Sequence, residues 1–488
     1  MHLSPEELSK FAGRYRGEDR EDALEIVLEA DHLSAVAPGR PPLLLKATGP
    51  ATFAAVEFPG LTFTFAGRGG LVERLIRAAG GQESSLVRMP EGEAAPAEPS
   101  PEPTPEPTTA AEAREEPVPR RPPLNWPSFR GPGASGIGDG QGIPWQWDGE
   151  TGVNVRWKTP IPGIALSSPI VWGDRVFVTT AAAEDANTSF RTGLYGDVDS
   201  VEDDAVHSFR VYALDRRSGE ILWQREAAQG RPKVKRHGKS SHANPTPATD
   251  GRHLVVSFGS EGLFCYDLAG NLLWKKDLGV LVSGWFYDPT YEWGFASSPI
   301  LHRDRVLVQV DIQEGSFLAA FDLATGKEVW RTTRQEIPSW ATPAVLPAAE
   351  VDGPDEIITN APTVRGYDAA TGRELWTLTP NSEIVVATPV VADGVAYVTG
   401  GYPPARPVYA IRPGGRGDLS LADGQTSSPH ILWSEERGGT YIPTPIVYRD
   451  VLYLLNNNGR LAAYEARTGE LLYRERVGRG ESFSGSPV

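Results

Sequence analysis

The chain has 488 residues, 40% hydrophobic and 23% charged, with 52 Gly and 43 Pro, a balance that fits a globular protein rich in turns and poor in long helices. No Gly-x-y period supports a collagen fold, and no run approaches the ~18 to 20 apolar residues of a membrane-spanning helix. A formal charge of -16 disfavours a nucleic-acid polyanion as partner, and a lone Cys265 excludes an intramolecular disulfide framework or a multi-thiolate zinc cluster.

In chain order, MHLSPEELSKFAGRYRGED lacks a cationic segment followed by an apolar one, so the sequence as written encodes no signal peptide and points to the cytosol. Leu24, Ile26 and Leu28, then Leu61, Phe63 and Phe65, alternate with polar residues at the period of half-buried strands. Residues 1–89 are therefore expected to form a small β-rich, barrel-like domain. Periodicity leaves LVERLIRAAG, from Leu71, open between strand and helix. Residues 90–124 alternate Pro with Glu, Ala and Thr and contain almost no large apolar side chain. Such a composition cannot bury enough surface to offset its ordering entropy and is expected to be a disordered, semi-rigid spacer. All 13 Trp follow it, starting at Trp126.

Residues 125–488 repeat. One anchor is a Ser/Thr-Pro step at Ser168, Thr246, Ser298, Thr342, Thr388, Thr444 and Ser486. The other is an acidic residue, a Thr/Ser-Gly turn and an aromatic, as in DRRSGEILW from Asp215, DLATGKEVW from Asp322 and DAATGRELW from Asp368. The two alternate, and each unit reads as four short strands in which the Gly supplies a positive φ. One such sheet cannot bury both faces, so the units are expected to close radially as a propeller. Six whole units run from Pro169 to Tyr473. Trp157 carries an outermost-strand signature before them, and SFSGSPV opens a seventh unit that stops at Val488, so partial blades are expected at both ends.

WPSFRGPGASG from Trp126, NVRWKTPIPGIALSSPIVWGDRVFVTT from Asn154 and GKEVWRTTRQEIPSWATP from Gly326 resemble the PQQ-like β-propeller repeat family, in its BamB-like group, over residues 126–488. The resemblance implies an all-β fold of the eight-bladed type, export to the periplasm, and protein partners at the cell envelope. FAGRY from Phe11, LEIVLEADHLSA from Leu24 and GLTFTFAGRGGLVERL from Gly60 resemble a small lipocalin-like β domain appended to some bacterial hydrolases. The expected function is non-catalytic binding or scaffolding, with no cofactor, no nucleic acid and no transmembrane segment. The alternatives are a quinoprotein oxidoreductase using PQQ with calcium, and a sensor or carbohydrate-binding module. Against the oxidoreductase, the chain has no cysteine pair and no calcium-ligand set that motif reading can place.

Trp157, Trp223, Trp274, Trp330, Trp376, Trp433 and Tyr473 end their units and are expected to dock one blade on the next. Segments entering each innermost strand should line one mouth of the ring, which makes His242, Asn244, Trp285, Tyr287, Tyr291, Trp293, Trp340, Tyr441 and Phe483 the candidate binding face. Packing of these side chains against neighbouring loops is the other reading. Gly131, Gly133 and Gly136 match a dinucleotide spacing by chance, lacking a strand before and a helix after. His237 and His242 have no third zinc ligand nearby in sequence. The acidic insertion Glu184 to Asp204, with Asp197, Asp199, Glu202, Asp203 and Asp204, could hold calcium but lacks the spaced EF-hand pattern and reads as a solvated loop, as does the basic run Arg231 to Lys239.

Overall fold

Alternating apolar residues near the N-terminus pair into a closed barrel of eight antiparallel strands, from Gly13–Arg16 to Gln82–Arg88, each bonded to the next and closed by Tyr15 opposite Arg88. The computed structural model describes residues 3–17, 23–29, 32–36, 43–55, 61–68, 71–79 and 82–89, then 125–488 apart from 140, 142–143, 145, 185–189, 192–198, 349–352 and 479–481. The spacer expected over 90–124 and Asp197 of the acidic insertion lie outside these residues. The chain divides into two compact units, the N-terminal barrel and the region after the Pro-rich segment.

In the barrel, Ile26, Phe53, Phe63, Leu75 and Leu86 are buried. LVERLIRAAG is settled as the strand Leu71–Ala79 because Leu75 lies opposite both Phe65 and Leu86 in the ladder. A short helix, Pro5–Ser9, starts with a reciprocal cap between Ser4 and Glu7. It delivers Leu8 and Phe11 to the same core, where Phe11 meets Phe53 at 5.2 Å and Phe65 at 4.8 Å. Closure leaves the sheet no unpaired edge.

Residues 170–476 form six blade sheets of a β-propeller, five of four strands and the fourth with a fifth strand, Gly417–Asp418, added in parallel. Blade 1 runs from Ile170–Trp172 to Ile221–Gly230, blade 2 from Ala248–Thr249 to Leu272–Lys276, and blade 3 from Ile300–His302 to Glu328–Thr333. Blade 4 runs from Ala344–Leu346 to Glu374–Leu378, blade 5 from Val390–Ala392 to Ile431–Glu435, and blade 6 from Ile446–Tyr448 to Leu471–Arg476. Five apolar clusters each draw on two consecutive blades, for example Val255, Cys265 and Trp274 with Val306, Val308 and Phe321. Burial between sheets is what holds the blades together.

The repeat motif explains how neighbours register. The indole of each unit lies over the turn glycine of the next: Trp157 on Gly219, Trp223 on Gly270, Trp274 on Gly326, Trp330 on Gly372 and Trp433 on Gly469. All five glycines have positive φ, and a Cβ there would sit 2.3 to 2.9 Å from the ring, so both backbone and packing demand glycine. Four of the indoles also donate from Nε1 to the carbonyl that follows the acidic turn residue, Trp157 to Arg216, Trp223 to Leu268, Trp274 to Leu323 and Trp433 to Ala466, at 2.8 to 3.0 Å.

Two positions depart from this pattern. Blade 5 replaces its turn with residues 412–430, so Trp376 is fully buried between blade 4 and that insertion and donates to Glu356 Oε2 at 2.8 Å. Tyr473 is 41% exposed, because no turn follows it among the described residues. Around Trp157 no strand forms, since that segment finds no partner strand among the described residues.

The Ser/Thr-Pro steps make a second seam. Each backbone N–H donates to the hydroxyl of the next step, Ser168 to Thr246, Thr246 to Ser298, Ser298 to Thr342, Thr342 to Thr388, Thr388 to Thr444 and Thr444 to Ser486, all at 2.9 to 3.1 Å. Proline fixes φ while the preceding hydroxyl serves the neighbouring unit. Inside this seam, Trp126 exchanges backbone hydrogen bonds with Val171, and the Pro127 carbonyl accepts from Thr249. Arg130 donates to the carbonyls of Pro445 and Pro487 at 3.0 and 2.9 Å. Gly131 packs beneath the Trp126 ring and Gly136 beneath the Arg130 guanidinium, so the glycine spacing serves a tight arm rather than a phosphate cradle.

Candidate functional site

In an antiparallel four-stranded blade, the segment entering the innermost strand emerges at the same end as the connection between the second and third strands. At that end the insertion of blade 1 and the loop before blade 2 pair as two short strands, Ser200–Val201 with Arg236–His237. The side chains of Arg236 and His237 point to opposite sides, as successive strand residues must. Each side faces a different group.

On one side stands an aromatic wall. The His237 ring meets Trp293 at 5.8 Å, Trp293 lies 6.3 Å from Trp285 with planes 16° apart, and Trp340 follows at 5.8 Å. Tyr291 and Tyr287 each set a ring 5.8 Å from Trp285. The hairpin-like loop that carries them is held by the Gly284 to Glu292 bridge and by the Trp293 amide donating to Ser283 O at 2.7 Å. Trp340 is pinned by its Nε1 to Gly294 O at 2.8 Å. Next to it, Ser339 donates to the fully buried Asp311 at 2.7 Å, which also binds Arg334 through both oxygens. Removing one member of such a buried pair costs about 3 to 5 kcal/mol, which makes this a rigid footing. Tyr287 is 62% exposed and reaches Glu383 with its hydroxyl at 2.9 Å, while Trp285 is buried with its Nε1 lacking an acceptor among the described residues.

On the other side lies a charged cluster. Asp203 accepts from Arg236 Nε at 2.6 Å and Nη2 at 3.2 Å, and its Oδ2 lies 2.9 Å from His242 Nε2. His207 presents its ring edge-on to His242 with centroids 5.4 Å apart, and its Nδ1 lies 3.0 Å from the Ala205 carbonyl. Burial by itself would raise the Asp203 carboxyl, but hydrogen bonds from His242 and Arg236 and the guanidinium charge outweigh it and hold the group well below the usual carboxylate range. Burial also pushes the His242 imidazole below its ordinary value, although Asp203 pulls the other way. At neutral pH the imidazole is neutral and the carboxylate charged.

Two sequence expectations need correction here. Arg236, read as part of a solvated basic run, is 1% exposed because Asp203 draws it inward. Asp203, read as part of a solvated acidic insertion, is 10% exposed at its side chain because it answers that same cation. His242 lacks a third ligand-type neighbour in sequence but has one in space, since Asp203, His207 and His242 place their donor atoms within 4.8 Å of one another. No motif flags His207, which opens the strand His207–Asp215.

Of the other candidates, Asn244 is committed to its own loop and the next, accepting from Ser241 and donating to Ser240 Oγ and Phe295 O at 2.9 and 3.2 Å. Tyr441 pairs with Tyr402 at 5.4 Å on the loop between blades 5 and 6, and Phe483 lies beside Gly459 at the end of blade 6. The structure thus gathers Trp285, Tyr287, Tyr291, Trp293 and Trp340 into one wall, joins His242 to it through the Arg236–His237 strand, and sets Tyr441 and Phe483 against other partners.

The family model described as outer membrane protein assembly factor BamB matches residues 207–358 and 314–484. Among solved structures, BamB from Moraxella catarrhalis is 15% identical over 67% of this chain and 89% of its own, with a TM-score of 0.38. Quinohemoprotein alcohol dehydrogenase from Comamonas testosteroni is 13% identical over 74% of each chain, with a TM-score of 0.44. A europium-containing methanol dehydrogenase is 10% identical over 65% of this chain and 79% of its own, with a TM-score of 0.41. No curated protein matches the chain.

Proposed function

We propose, for a chain that belongs to the PQQ-like propeller family described as outer membrane protein assembly factor BamB, a non-catalytic role in which the propeller mouth holds a protein partner at the cell envelope. The observation that carries this reading is the wall of Trp285, Trp293 and Trp340 with Tyr287 projecting beyond it. Clustered aromatics on a rigid base are the usual anchors of a protein interface, because they bury large area at little cost in side-chain entropy.

The charged groups on this face support binding over oxidation chemistry. Asp311 and Glu336 are engaged by Arg334 and Arg365 respectively, so neither carboxylate stands open for the calcium ion that a bound quinone would need. The reading therefore routes no step through a quinone. No helix among the described residues is long and apolar enough to cross a membrane.

A photo-reactive residue placed at Tyr287 in the native host tests this, with Leu272 on the outer strand of blade 2 as control. The expected result is a discrete polypeptide adduct at Tyr287 that is absent at Leu272 and lost when Trp293→Ala is added. Dye reduction by the purified chain with PQQ, calcium and a primary alcohol, together with no adduct at Tyr287, would replace this reading with an oxidoreductase.

A further inference from the structure

The cluster on the far side of the Arg236–His237 strand is unused by the aromatic wall. Its three ligand-type side chains come from three separate segments: Asp203 from the insertion of blade 1, His207 from the start of that blade's third strand, and His242 from the loop before blade 2. Two imidazoles and one carboxylate converge with donor atoms within 4.8 Å. In a protein with 8 His among 488 residues, that convergence calls for a cause.

The orientation of each donor suits coordination. His207 is 2% exposed, and the Ala205 carbonyl at 3.0 Å from Nδ1 fixes the proton on that nitrogen, leaving the Nε2 lone pair for a ligand. Backbone or carboxylate acceptors behind a ring are the usual way a coordinating histidine is aimed. Asp203 is held charged and in place by Arg236, whose Nη2 contact to Oδ1 can persist while Oδ2 turns to a cation. His242 Nε2 already stands 2.9 Å from that Oδ2, closer than the roughly 3.3 Å between donors of a tetrahedral zinc site. An ion there takes the position of the shared proton, which moves to Nδ1 of His242. His207, at the start of its strand, has its donor within 4.8 Å of the other two, so reaching the donor spacing of such a site requires a shift of at most about 1.5 Å.

We propose that Asp203, His207 and His242 form a binding site for a first-row transition-metal dication of the zinc type. Imidazole with carboxylate selects such ions over calcium or magnesium, which prefer oxygen alone, and over copper(I), which prefers sulfur. The Arg236 charge opposes any dication nearby, so the site relies on coordination bonds to two neutral imidazoles rather than on net negative charge. The site is separate from the partner-binding reading, and either can fail without the other.

The test uses the full chain stripped with a chelator and dialysed. Titration with zinc is expected to show one equivalent bound, with His207→Gln and His242→Gln each weakening affinity by at least about tenfold. His253→Gln, at an exposed pair with Asp250 outside the cluster, should leave the titration unchanged. Cobalt(II) added to the wild-type protein should give visible absorption bands that zinc abolishes, a readout that survives even if a variant fails to fold. Absence of those bands, or zinc binding that persists undiminished in both folded histidine variants, overturns the proposal.

Discussion

Trp274 and Tyr473 occupy the same position of the repeat, yet the structure assigns them opposite energetic weight. Trp274 is 8% exposed, lies over Gly326 of the next blade, and donates to Leu323 O at 2.8 Å within the apolar cluster between blades 2 and 3. Truncation to alanine removes a buried indole, worth about 3 to 5 kcal/mol including the cavity left behind. It also leaves a carbonyl unpaired, at about 1 kcal/mol more. Tyr473 is 41% exposed, and its truncation should fall within about 0.5 kcal/mol of the parent. Urea unfolding followed by tryptophan fluorescence reads the difference cleanly, since all 13 Trp lie at or after Trp126 and the N-terminal barrel is silent. With a slope of about 2 to 3 kcal/mol per molar urea, Trp274→Ala should lower the midpoint by about 1.3 to 3 M and Tyr473→Ala should not move it measurably. Equal shifts for the two variants, or a loss under 1 kcal/mol for Trp274→Ala, would refute the docking of each indole on the following turn.

Other consequences are equally direct. Thr342→Val keeps the side-chain shape but leaves the Ser298 amide without the hydroxyl it reaches at 3.0 Å; a loss of about 1 to 3 kcal/mol in the same urea assay is expected, and a neutral result would show that the seam contributes nothing. Gly372→Ala places a methyl 2.3 Å from the Trp330 ring at a φ of +72°. Backbone strain alone costs about 1 to 2 kcal/mol, so a lower melting temperature with altered tryptophan emission is expected, and an unchanged melt would contradict the geometry. Burial pushes the Cys265 thiol up to about 12, so a disulfide reagent at mildly alkaline pH should leave the native protein unmodified and react fully in denaturant. Rapid stoichiometric modification of the folded chain would show that the interface between blades 2 and 3 is open.

The propeller was readable because its determinants are local and repeated. A Ser/Thr-Pro step and an Asp-to-Trp hairpin each lie within about ten residues, and seven copies of the step reveal a period that one copy would not. Tyr473 shows the limit of that logic, since a repeat position specifies docking only where a following turn receives it. The strand at Leu71 was ambiguous alone and was settled by Phe65 and Leu86 across the ladder. The aromatic wall was recoverable from its place before the Ser/Thr-Pro steps. The Asp203, His207, Arg236 and His242 cluster was not, because its members are paired through space across an insertion unique to blade 1. A run such as Arg231 to Lys239 looks solvated until a particular carboxylate is found to claim one of its cations.

The central claim is that the units stand around one axis with their Ser/Thr-Pro steps joined hand to hand. The six donor amides of Ser168, Thr246, Ser298, Thr342, Thr388 and Thr444 lie outside every strand. Hydrogen–deuterium exchange at single-residue resolution therefore isolates the seam: the account predicts protection at these six comparable to the strand cores. Exchange at the rate of open loops would contradict the ring, and with it the mouth on which the proposed binding depends.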